Sequence, residues 1–84
     1  MAANNASSAN PAFAQYCEAI FELAEDEVGV IQARIAERLG VSRPAVSEMV
    51  RRLEGEGLVV LDGEISLTPA GQRLAEGTVR QHRL

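Results

Sequence analysis

"QARIAERLGVSRPAVSEMVRRL", residues 32–53, contains two helical patterns broken by a glycine, and the break decides how the whole chain is read. Ile31, Ile35 and Leu39 stand four apart, which predicts a short helix over residues 31 to 39, stopped by Gly40. Ser42 is placed to cap a second helix through its hydroxyl, and Pro44 falls in the first turn, where a missing N–H costs nothing. Val46, Met49, Val50 and Leu53 recur as an apolar stripe. Arg43, Ala45, Ser47, Glu48, Arg51 and Arg52 are left on the polar side, so this second helix, about 42 to 55, has one dry face and one cationic face.

Upstream, Phe13, Cys17, Ile20, Phe21 and Ala24 recur at helical spacing from Ala12 onward, with Tyr16 and Leu23 widening the face. That helix is expected to end in the acids Glu25, Asp26 and Glu27, before Gly29. Residues 1 to 11, "MAANNASSANP", hold no large apolar side chain whose burial would offset the entropy of ordering them, and are expected to form a loose arm. Downstream, Leu58 to Leu61 and Glu64 to Leu67 flank Asp62-Gly63. Asp and Gly tolerate the positive φ of a tight turn, so a β-hairpin is predicted. Thr68 and Pro69 then start a last helix, with Ala70, Leu74, Ala75 and Val79 inward and Arg73, Glu76, Arg80 and Arg83 outward. The "VRQHRL" close has no stop signal, so this helix is expected to continue beyond Leu84 into a further part of the protein.

Helix, helix, tight turn, helix, hairpin, helix is the order of a winged helix-turn-helix, a mainly α fold with one small hairpin, expected here over residues 12–84. Residues 32 to 51 resemble the general helix-turn-helix signature: Ala36 at the close approach of two helices, Gly40 in the turn, Val46 packing the second helix on the first. Ile35, Leu39, Val41 and Met49 stand where that motif buries side chains.

Composition narrows the function. The 84 residues carry a net charge of −4, yet Arg34 to Arg52 hold five arginines against two glutamates, while Glu18 to Glu27 hold five acids. DNA affinity depends on the cations that face phosphates rather than on the total, so the acidic balance does not exclude nucleic acid. Helix-turn-helix proteins put the start of the second helix at the base edges. Here Arg43 suits guanine or a phosphate, Glu48 suits cytosine N4, and the Ala45 methyl suits the thymine methyl. Arg51 and Arg52 have a second reading as a solvated face paired with Glu48 and Glu54. An enzyme is not expected, because one His, one Cys, no Gly-rich phosphate loop and no Ser/His/Asp set are present. No apolar run is long enough for a bilayer, and the start lacks the pattern of a signal peptide. A cytoplasmic protein is the expectation, and the single Cys17 fits a reducing compartment.

The segments "Y..AIFEL", "ARIAERLGVS.P.VSE", "LTPAG" and "VRQHRL" together resemble the amino-terminal domain of the diphtheria toxin repressor family, the iron- and manganese-dependent bacterial repressors, from about Phe13 to Leu84. The resemblance implies a repressor that binds a palindromic DNA operator as a metal-loaded homodimer. Iron or manganese would be its cofactor in the full-length protein, held largely outside these residues. It implies base contacts at Ser42, Pro44, Ala45, Ser47 and Glu48, backbone contacts near Gln32, Ala33 and Arg34, and a metal-ligating imidazole at His82. Where the family has a methionine or aspartate ligand before the first-helix tyrosine, this chain has Gln15, a neutral and weaker donor. Cys17 lies on the apolar stripe and reads as a buried small hydrophobe. Two other expectations stay open: a winged-helix regulator that does not sense metal, and a winged helix used for protein contacts.

Overall fold

A computed structural model of the chain describes residues 10–26 and 29–83, with the surroundings of side chains given for 10–26 and 29–77. Helix α1 runs Pro11–Glu25, α2 Gln32–Leu39 and α3 Arg43–Gly55; strands β1 (Val59–Asp62) and β2 (Glu64–Leu67) form an antiparallel hairpin, and α4 runs Pro69–Arg83. This is the winged helix-turn-helix order. The arm expected over residues 1–11 lies outside the described residues except at its end, where Pro11 is already helical. There the Asn10 side chain accepts from the Ala12 N–H at 2.9 Å and caps α1.

Local chemistry sets each boundary of the central unit. Gly40 takes φ 68°, a conformation that favours glycine, and the Gly40 and Val41 N–H groups both donate to the Ala36 carbonyl. Ser42 accepts from the Ala45 N–H at 3.2 Å and so caps α3. At the far end of α3, Gly57 (φ 75°) donates to the Glu54 carbonyl and Leu58 to the Leu53 carbonyl, the paired bonds of a Schellman stop. The hairpin turns about Gly63 alone, φ 78°, with Asp62 opposite Glu64. A third extended segment joins it, since the Ile65 N–H donates to the Val30 carbonyl at 2.9 Å.

The core gathers Phe13, Tyr16, Cys17 and Ile20 of α1, Ile35 of α2, Val46, Val50 and Leu53 of α3, Val59 and Ile65 of the hairpin, and Ala75 of α4. Full burial of each Val, Leu or Ile contributes about 1.5–3 kcal/mol before entropy. Three expectations about burial need correction. Ile31 precedes α2 and is 45% exposed, Val41 is 39% exposed, and Ala24 lies on the surface. Ile31 and Val41 flank the ends of an eight-residue helix, and there the 3.6-residue period no longer governs which way a side chain points.

Cys17 is fully buried, and burial pushes its thiol up to about 11. The unfolded chain therefore releases the thiol proton first, at pH near the ordinary 9.0, and the stability that this group contributes is lost as pH rises from there toward 11. We expect native Cys17 to resist alkylation and to react at the rate of unfolding. Fast labelling of the folded chain, measured by mass spectrometry, would contradict this burial.

Candidate nucleic-acid interface

Val46, Val50 and Leu53 point inward from α3 with no exposed surface. At 100° per residue, Pro44, Ala45, Glu48, Arg51 and Arg52 occupy the opposite arc, roughly 120° wide, and all five are exposed. Ser47 borders that arc and is half-buried, whereas Arg43 lies roughly 80° beyond its edge and is exposed at the first position of the helix. The polar face expected from the sequence is therefore a continuous surface, formed because the dry stripe fixes how the helix is rolled.

Arg43, Gln32 and Ala33 line one groove of about 350 Å³ together with the wing tip, Leu61 to Ile65. The start of α2 has no side-chain cap, leaving its first amide groups directed outward as donors at the positive end of the helix dipole. Packing thus places the beginnings of α2 and α3 side by side. Ser42, by contrast, is already engaged: its hydroxyl serves the Ala45 amide.

The arginines divide into two groups. Arg38 is drawn back to α1, 3.5 Å from Glu22 and 3.9 Å from Asp26. It is one of the five arginines that make residues 34–52 cationic, and this ion pairing removes it from the surface available to phosphates. Arg34, four residues earlier and on the same side of α2, is exposed. Arg34, Arg43, Arg51 and Arg52 remain outside any ion pair among the described residues.

Gln15 is exposed on α1, and the side chain of His82 lies outside the described residues.

Two features that shape this surface are missing from the sequence reading. Thr68 reads there as a helix start, but its hydroxyl also donates to the Gly57 carbonyl at 2.6 Å while accepting from the Gly71 N–H at 3.1 Å. It fastens the end of α3 to the start of α4. Asp62 and Glu64 read only as residues of the hairpin, although they line the same groove as Arg43. No local pattern marks either role, because both depend on segments distant in sequence.

Residues 11–65 match the family model described as "Iron dependent repressor, N-terminal DNA binding domain". The diphtheria toxin repressor of Corynebacterium diphtheriae is 48% identical over 71 residues, and the iron-dependent repressor IdeR of Mycobacterium tuberculosis 44% over 71 residues. Each alignment covers 82% of this chain and 31% of the relative, so the chain spans about a third of those proteins' length. The solved structure of the manganese regulator SloR superposes with a TM-score of 0.76 at 42% identity, over 84% of this chain and 34% of that one. A family model that spans the helix pair α2–α3 and most of the wing, together with a superposition of this quality, is decisive: the chain belongs to the iron-dependent repressor family, through its N-terminal DNA-binding domain.

Proposed function

We propose that this domain binds double-stranded DNA, with α3 in the major groove, as the DNA-reading part of an iron- or manganese-dependent transcriptional repressor. The observation that carries the reading is the exposed arc of α3, which holds Arg51 and Arg52, together with the exposed Arg43 beside the uncapped start of α2, all three free of ion pairs among the described residues. Phosphates would be held by Arg34, Arg51 and Arg52 and by the amides of Gln32 and Ala33; Arg43, Pro44, Ala45, Ser47 and Glu48 would face base edges. Ser42 would contribute mainly by capping α3. The whole protein is proposed to act in the cytoplasm as a homodimer on a palindromic operator, so that two weak half-site contacts are made by one molecule. Among the described residues no helix is long and apolar enough to cross a membrane.

The described residues do not form a metal centre by themselves. None of them make a group of three His, Cys, Asp or Glu suited to a metal ion. Burial keeps the Cys17 thiol protonated, whereas metal ligation needs the thiolate, and Gln15 offers only a neutral carbonyl oxygen. Metal dependence is therefore proposed for the full-length protein, with His82 as the ligand contributed by this chain. The diphtheria toxin repressor relatives and the manganese regulator SloR support a metal-sensing reading through their family.

The test is a titration of the full-length protein against DNA from its own promoter region, with and without Mn²⁺ or Fe²⁺, at two salt concentrations. Binding that requires metal and weakens with salt is expected. Binding indifferent to metal would remove the sensor from the proposal, and no binding at low salt would overturn it.

A further inference from the structure

The wing tip is acidic, and its charge brings the hairpin no stability. Asp62 and Glu64 stand directly opposite each other across Gly63. Like charges at facing positions of an antiparallel pair are destabilising. Both residues are exposed, and among the described residues neither carboxylate enters an ion pair. The Glu64 carboxylate reaches back over Gly29, where a Cβ would lie 2.7 Å from its Oε2. Both residues nevertheless wall the groove that also holds Arg43 and the start of α2. In the proposed DNA complex the amides of Gln32 and Ala33, which line the same groove, would hold phosphates, so the charge of the two wing acids would repel the backbone those amides attract.

We propose that Asp62 and Glu64 restrain DNA binding: they subtract from the sequence-independent, phosphate-driven part of the affinity. A single domain then holds any duplex weakly, and stable occupancy depends on base contacts made by α3 and on a second domain bound to the same DNA. The inference rests on the DNA-binding reading above. Its physical content is local, because at ordinary salt a charge acts over about 8–10 Å. Acids elsewhere on the surface contribute to the net charge of −4 but not to this restraint.

The experiment compares two double variants of the full-length protein, with Mn²⁺ present throughout, on a mixed-sequence DNA duplex by fluorescence anisotropy at low and at moderate salt. D62N/E64Q removes the two wing anions with little change of shape. E25Q/E56Q removes the same number of charges from exposed positions outside the groove. The wing variant is expected to bind about three- to tenfold more tightly at low salt, an advantage that shrinks as salt rises, while the control pair changes affinity less than about twofold. Thermal melting confirms that both variants fold, and the wing pair is expected to melt no lower than wild type. Equal gains in the two variants would reduce the effect to net charge and overturn the proposal, as would no gain, or a loss, in the wing variant. If the wild-type protein and both variants fail to bind at low salt, the DNA-binding reading itself is at fault.

Discussion

Replacing Gly71 by alanine is expected to destabilise the domain by about 2–4 kcal/mol, although helix propensity alone favours alanine by about 1 kcal/mol. Gly71 is buried in the first turn of α4, and a Cβ built there overlaps the Leu58 carbonyl oxygen and crowds Leu67 at 3.1 Å. The obstacle is backbone, so it does not rotate away. The start of α4 would have to move off the α3–β1 junction. That movement stretches the bond from the Thr68 hydroxyl to Gly57 and the bond from the Thr68 N–H to the Leu58 carbonyl, at 2.6 and 3.0 Å. Overpacking costs about 1–3 kcal/mol and each broken hydrogen bond about 0.5–1.5 kcal/mol, so together they exceed the propensity gain. Gly77, in the same helix but exposed and with nothing within 4 Å of an added Cβ, is the control. Gly77→Ala is expected to stabilise by up to about 1 kcal/mol. Urea unfolding of the two variants against wild type measures both. A neutral Gly71→Ala would mean that the junction is loosely packed.

The second large effect concerns the arginines, which the structure divides by their partners. Arg43→Ala is expected to weaken DNA binding by about 1–3 kcal/mol if the guanidinium reaches a base edge. Replacing Arg51 and Arg52 together is expected to lower the slope of log affinity against log salt by about 2, since each phosphate left without its cation takes away roughly 0.9. Arg38→Ala should leave that slope unchanged. Its guanidinium is held by Glu22 and Asp26, and the exposed pairs are worth less than about 1 kcal/mol of stability. A salt series on the full-length protein with a fixed duplex separates these outcomes. A drop in slope for Arg38→Ala equal to that of Arg51→Ala would show that the ion pairs open on DNA and that all five arginines act as one patch. An unchanged slope in the Arg51 and Arg52 double variant would assign these two residues to a solvated helix face.

How much of this is legible in the sequence differs from residue to residue. The paired helices, the Gly40 break, the Ser42 cap and the hairpin at Asp62-Gly63 are local: each follows from spacing and from the conformations that a few adjacent residues tolerate. The exposed arc of α3 follows too, because the apolar stripe Val46, Val50 and Leu53 fixes the roll of the helix and so which residues face out. Family membership is readable for a similar reason, since the helix pair broken at Gly40 and "LTPAG" are contiguous motifs.

What the tertiary structure alone decided concerns pairs of residues far apart in the chain. Periodicity assigns Arg38 to an outer face without saying that the acids of α1 lie beside it, and the turn chemistry of Asp62 and Glu64 does not reveal that Arg43 lines the same groove. Thr68 and Gly71 look like an ordinary helix start until the end of α3 is seen against them. Local spacing constrains only the direction in which a side chain leaves its own element; the partner it meets is set by how the elements pack, and that packing decided which of these arginines are left for DNA.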